Sequence, residues 1–119
     1  MKIETIPETR LTTAQDAEIA NLLARCFTTD FGGRSFYQQR HHLRIIAREP
    51  ALVGHMALTL RAIRVGDQLT DITGLADVAT DPAHRAKGIA ATLLQAAIAD
   101  AKASPAQFLR LFGTAGLYA

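Results

Sequence analysis

The sequence predicts a small mixed α/β domain of the α+β kind, and three observations carry that expectation. Two stretches repeat apolar residues at helical spacing. Several others alternate or run apolar at strand length, and Gly66-Asp67 joins two long ones as a hairpin. The 119 residues allow one domain, 1–119, and argue against two. Apolar residues at 49% and charged residues at 20% lie near the averages for folded globular domains, which argues against disorder.

Residues 2–5 read as a short strand closed off by Pro7. Thr12-Thr13-Ala14-Gln15 then has the form of a capping box, with Thr12 as cap and Gln15 reaching back. Behind it, Ile19, Leu22, Leu23, Cys26 and Phe27 share one helical face, predicting a first helix over 13–27 with Cys26 as a packed thiol. Residues 28–39 contain Gly32-Gly33 and Ser35-Phe36-Tyr37 and read as a loop with a short second helix. Strands are expected over 42–49, ended by Pro50, and over 52–65. In the second of these, Gly54, Met56, Leu58 and Leu60 share one face and Val53, His55, Ala57 and Thr59 the other. The chain returns over 69–80 and stops at Asp81-Pro82. A loop over 81–87 opens a long helix whose stripe is Ala90, Leu93, Leu94, Ala97, Ile98 and Ala101, ended by Ser104-Pro105. Residues 108–112 form a last strand, Gly113 breaks it, and 114–119 begin a further helix.

Charge and cysteine content exclude several function classes. Thirteen Lys and Arg against eleven Asp and Glu leave a formal charge of +2, with no basic cluster to track a nucleic acid. Cys26 is the one cysteine, so no internal disulfide forms and no zinc cluster is anchored. His41-His42 and His84 read as surface residues without ligand spacing, and His55 as a structural strand histidine; no metal site is expected. No apolar run reaches membrane-spanning length, and Met1-Lys2-Ile3-Glu4 lacks a signal-peptide layout, so the expected compartment is the cytoplasm.

The informative stretch is Asp77-Val78-Ala79-Thr80-Asp81-Pro82-Ala83-His84-Arg85-Ala86-Lys87-Gly88-Ile89-Ala90. It is a strand feeding a loop whose backbone N–H groups converge at a helix N-terminus, where the first turn's donors lack partners and the macrodipole is positive. Such a place suits a phosphate anion. Gly88 and Ala90 let an anion approach the backbone, and Arg85 and Lys87 add positive charge. It is not a Walker A loop, because Lys87 precedes Gly88, and the dinucleotide fingerprint Gly-x-Gly-x-x-Gly is absent.

This segment resembles the acetyl-coenzyme A motif of the GNAT superfamily of N-acetyltransferases, Arg/Gln-x-x-Gly-x-Gly/Ala, with Arg85, Gly88 and Ala90 in the defined positions. Val78-Ala79-Thr80-Asp81-Pro82 resembles the family's fourth strand, and the element order matches along nearly the whole chain. The resemblance implies a GNAT-like, mostly antiparallel mixed sheet flanked by helices. It also implies that the backbone from Ala86 through Lys87, Gly88, Ile89 and Ala90 to Ala91 holds the coenzyme A pyrophosphate. Val78 and Thr80, with Ala79 between them, would pair with the pantetheine arm as an added strand. The family usually has a bulge here, and the Val78 amide would then polarise the thioester carbonyl. Direct attack by an amine needs a base and an acid. Tyr118, in Leu117-Tyr118, resembles the family's acid, and Asp77 is the base candidate, since the usual earlier glutamate is replaced by Gly74 and Ala76. A water chain or a residue of the 31–37 loop is the alternative base.

The hairpin around His55-Met56-Ala57-Leu58 and Arg61-Ala62-Ile63-Arg64-Val65-Gly66 is similar in layout to nodulation acyltransferases and aminoglycoside 2′-N-acetyltransferases, which implies an amino-sugar acceptor. Typical members continue past the tyrosine helix with a Gly-Phe/Trp motif and two further strands; here the sequence stops at Ala119. The expectation is a sheet lacking its last two strands, completed by a homodimer that pairs strand edges. The competing function is a non-catalytic acyl-coenzyme A-binding or interaction module on the same fold.

Overall fold

The computed structural model describes residues 1–37, 39–85 and 87–105, and the backbone of the strand 108–111. Strands β1 (Lys2–Pro7), β2 (Leu43–Arg48), β3 (Leu52–Val65) and β4 (Gln68–Thr80) form an antiparallel meander. Helix α1 (Thr13–Cys26) connects β1 to β2. Helix α2 (Ile89–Lys102) is the crossover that brings β5 (Phe108–Leu111) alongside β4 in parallel, as parallel neighbours require. The sheet order is β1-β2-β3-β4-β5.

Helix α1 starts where the capping box predicts. The Gln15 N–H donates to the Thr12 hydroxyl and the Gln15 side chain accepts from the Thr12 N–H. Its buried stripe, Ile19, Leu22 and Leu23, packs with Ile6, Phe31, Ile46, Leu52 and Ala79 on one face of the sheet. Helix α2 covers the other face, with Ile89, Leu93 and Ala97 against Ile45, Met56, Leu58, Leu75 and Val78. The fold class is therefore the expected one. Gly54 sits at the closest approach of α2 to the sheet: a Cβ there would lie 2.7 Å from Ile89 Cγ2 and 3.1 Å from Leu93 Cδ1.

Two expectations need correction. The buried line of α2 is Ile89, Leu93, Ala97 and Ala101, so the helix is rotated from the predicted stripe, and Ala90, Leu94 and Ile98 are only half-buried. The bare backbone at Gly54 draws in Ile89 and Leu93 together, which sets that rotation. No second helix forms among the described residues of 28–39, only turns and bends. Gly32 and Gly33 there take consecutive left-handed φ values of 63° and 75°, and the Gly32 N–H donates to the Asp30 carboxylate, closing a turn instead of a helical rung. The expected helix at 114–119 lies outside the described residues.

A polar network ties the loop ahead of β2 to the rest of the molecule. Arg44, fully buried, donates from Nε and Nη2 to the two oxygens of Glu8 at 2.8 and 2.9 Å and from Nη1 to the Ser35 carbonyl. Arg40 bridges Glu8 and Asp16. Burial by itself raises the Glu8 carboxyl, but the bonds and charges of Arg44 and Arg40 together hold it below its ordinary value.

Candidate functional site

The site begins at an irregularity in β4. Ala79 faces His55 and Ala76 faces Ala57, so the single residue Met56 stands opposite two, Asp77 and Val78. This is a β-bulge, and Asp77 takes φ 52°, the one positive φ at a non-glycine residue among those described. Left-handed backbone costs a residue with a Cβ about 1–2 kcal/mol, least for Asp and Asn.

Two histidines hold the bulge in place. The Nδ1–H of His55 donates to the Asp77 carbonyl at 2.8 Å. His55 is fully buried; burial first and the adjacent Arg44 charge second push its pKa down to about 4, so the ring is neutral at pH 7. Arg44 Nη1 lies 3.4 Å from His55 Nε2, and because a guanidinium can only donate, Nε2 is the unprotonated nitrogen. In addition, His41 Nε2 lies 2.9 Å from Asp77 Oδ2 and His41 Nδ1 lies 3.0 Å from Thr59 Oγ1.

Beyond the bulge the edge of β4 is turned outward. The Asp81 N–H donates to the Val53 carbonyl, so strand alternation points the N–H and C=O of Val78 and Thr80 away from β3. Among the described residues, pairing with β5 covers Ile72 to Leu75. The two strands thus share four residues, and no pairing is described along that edge from Ala76 to Thr80. The side chains of Val78 and Ala79 are buried on opposite faces of the sheet, so only their backbone is available at that edge.

After β4, Asp81 organises the turn: its carboxylate accepts from the Ala83 N–H at 2.9 Å and from Arg25 at 3.0 Å. Gly88 is the N-cap of α2, at φ 76° and ψ 12°, and no side chain caps the helix. The first-turn amides of Ile89, Ala90 and Ala91 have no acceptor within the helix. Nothing lies within 4 Å of where a Gly88 Cβ would be, so the approach is open. Lys87 and Arg85 are exposed. Arg85 folds back over the end of β4, its Nε donating to the Thr80 carbonyl at 3.3 Å, and the Cys26 thiol donates to the same oxygen. Burial pushes the Cys26 thiol up, consistent with a protonated donor.

The structure thus brings Asp77, Val78, Thr80 and Gly88–Ala91 into one continuous strand–loop–helix unit. Tyr118 and Ala86 lie outside the described residues. Reading His41 and His42 as surface residues is incorrect. The His41 side chain is 11% exposed and bound to Asp77, and the His42 ring accepts from the Leu60 N–H at 2.7 Å. Both belong to an irregular extension of β2, since the His42 N–H also donates to the Leu58 carbonyl. Counting back symmetrically from Pro50 sets His41 opposite Thr59 and His42 opposite Leu58, and the register shift between Ala47 and Arg48 moves both on by one residue. Hairpin arithmetic therefore brings these histidines alongside β3 but not into their actual register. A separate recess of about 220 Å³, lined in part by Ala20, Ala24, Phe27 and Arg34, shares no residue with this unit. Among the described residues no group of three His, Cys, Asp or Glu could hold a metal, and no helix is long and apolar enough to cross a membrane.

Comparison with known proteins identifies the fold and the family. No curated protein sequence matches the chain. Among solved structures, an aminoglycoside antibiotic 6′-N-acetyltransferase from Acinetobacter haemolyticus superposes with a TM-score of 0.71 at 18% identity, over 97% of this chain and 81% of that one. A ribosomal-protein-alanine N-acetyltransferase from Brucella melitensis gives 0.68 at 22% identity, over 97% and 82%. A GNAT family acetyltransferase from Brucella melitensis, solved with acetyl-coenzyme A, gives 0.68 at 21% identity, over 98% and 79%. These likenesses show the fold. The sequence profile of the acetyltransferase (GNAT) domain matches residues 8–119, nearly the whole length, and the chain therefore belongs to the GNAT acetyltransferase family.

Proposed function

We propose that this protein is a single-domain N-acetyltransferase, moving an acetyl group from acetyl-coenzyme A to a primary amine of a small molecule by direct attack. An amino sugar is the acceptor class we favour, supported by the hairpin layout and by the fold likeness to an aminoglycoside acetyltransferase. The observation that carries the reading is the bulged edge of β4 running directly into an open, glycine-capped helix start. That unit fits acetyl-coenzyme A. The amides from Ala86 to Ala91 receive the pyrophosphate, with Lys87 and Arg85 supplying positive charge. Val78 and Thr80 offer outward main-chain groups to the pantetheine arm, as an added strand would take them.

The bulge gives the Val78 amide its role. It donates to the thioester oxygen as negative charge develops there, and a preorganised donor costs no reorganisation at that moment. Asp77 takes part in removing the amine proton, and Tyr118 returns a proton to the coenzyme A thiolate. We place the protein in the cytoplasm, in keeping with its single cysteine. Self-association into a homodimer is supported by the apolar residues Leu60, Val65 and Leu69 exposed on the β3–β4 hairpin.

The test is a melting curve with and without acetyl-coenzyme A, followed by thiol release across a panel of amines. Ligand at a hundred times its Kd stabilises the native state by roughly 2.7 kcal/mol. Gly88→Trp, which fills the open helix start, removes that stabilisation. Equal stabilisation of wild type and Gly88→Trp overturns the site. Stabilisation of the wild type without thiol release from any amine overturns the transferase in favour of a non-catalytic acyl-coenzyme A-binding module.

A further inference from the structure

Asp77 is the obvious base on sequence grounds, yet in the structure its carboxylate does not stand free to meet an amine: Oδ2 is 2.9 Å from a ring nitrogen of His41. The opposite nitrogen of that ring is 3.0 Å from the Thr59 hydroxyl. A carboxylate only accepts, so His41 Nε2 carries the proton toward Asp77, and Nδ1 of the neutral ring is left to accept from Thr59 O–H. We infer that Thr59, His41 and Asp77 form a proton relay that takes the amine proton, with Thr59 facing the acceptor and Asp77 as the positioning carboxylate. This rests on the acetyltransferase reading of the site and replaces Asp77 as the direct base.

Placement supports it. Asp77 is the bulge residue immediately before Val78, so the carboxylate that anchors the relay is one residue from the amide assigned above to the thioester oxygen. Thr59 lies on the same face of β3 as Ala57 and His55, the face whose neighbours Ile46 and Ala79 pack with α1. Both Thr59 and His41 are partly exposed, unlike the sealed His55. The ring is also held still. The flanking His42 is stapled by its N–H to the Leu58 carbonyl, by its carbonyl to the Glu8 N–H, and by its ring to the Leu60 N–H. A fixed ring between a hydroxyl and a carboxylate is the geometry general-base catalysis needs.

The step balances without any further reagent. The amine nitrogen bonds to the acetyl carbon while one N–H proton passes to Thr59 Oγ1, and the Thr59 proton passes to His41 Nδ1. The resulting imidazolium is held against the Asp77 carboxylate through Nε2–H. When the C–S bond breaks, the coenzyme A thiolate takes a proton from Tyr118 or water, and His41 loses its extra proton to solvent.

The experiment measures kcat and KM against pH for an amine that the wild type acetylates. His41→Gln and Thr59→Val each lower kcat about 100-fold or more, with KM for acetyl-coenzyme A nearly unchanged. Thr59→Ser restores most of what Thr59→Val loses, because the hydroxyl returns. Asp77→Asn also lowers kcat with KM for acetyl-coenzyme A nearly unchanged, because the imidazolium formed in the step loses its anionic neighbour. A kcat within threefold of wild type in both His41→Gln and Thr59→Val overturns the relay and leaves the transferase standing. A wild type that binds acetyl-coenzyme A and acetylates nothing overturns both. If His41→Gln fails to fold, the Thr59→Val and Thr59→Ser pair decides the matter, since neither alters the ring.

Discussion

At the scale of single residues, His55 does more for the fold than its strand position implies. Its neutral ring spans the buried Arg44 and the strained carbonyl of Asp77, so protonating it forces a second positive charge against a guanidinium. The folded pKa of about 4 lies below the ordinary 6.5, so the unfolded chain binds the extra proton first as pH falls. Stability is therefore complete above pH 6.5 and declines between 6.5 and about 4, by roughly 3 kcal/mol at 1.36 kcal/mol per unit. Urea midpoints taken across that window will show the decline in the wild type, and His55→Gln will flatten it. Glu8 adds a lower window: its depressed value means its share is lost only as pH drops below the ordinary carboxylate range. None of this was visible in the sequence. A histidine in a strand reads as packing, and nothing local says that an arginine eleven residues earlier in the chain will be buried beside it.

Among elements, α2 depends most on a residue outside itself. Gly54 gives up a side chain so that Ile89 and Leu93 can rest on bare backbone, and a Cβ there would sit 2.7 Å from one and 3.1 Å from the other. Gly54→Ala will cost about 1–3 kcal/mol, the usual range for overpacking. Because Ile89 follows Gly88 at the helix start, the displacement will also weaken acetyl-coenzyme A binding. A lowered melting point with unchanged affinity would show that the helix start does not depend on this contact. Element positions were legible where a local rule decides them: the capping box began α1 at Thr13, and Gly66-Asp67 turned the long hairpin. They were misread where tertiary contact decides. The buried line of α2 follows from Gly54, and the absent helix after residue 28 follows from two consecutive left-handed glycines.

The whole molecule measures 45 × 28 × 28 Å. Strands β3 and β4 run on together past the body of the sheet, so that Leu60, Val65 and Leu69 are 41%, 54% and 69% exposed. Apolar residues so placed on a projecting two-stranded ribbon favour burial against a second copy. Equilibrium sedimentation of the wild type will give the mass of two chains, and Leu69→Lys will shift it toward one. A wild-type monomer at every concentration would refute self-association.

The mixed α/β class, the hairpin, the capped first helix and the loop-to-helix start at Gly88 followed from the sequence alone, because periodicity, turn chemistry and capping act over a few neighbouring residues. The bulge that places Asp77 at a positive φ, the burial of His55 against Arg44 and the meeting of His41 with Asp77 were decided by tertiary structure. Each joins residues at least eleven positions apart through strand register. A one-residue irregularity in pairing changes which side chains share a face, and no short window of sequence contains that information.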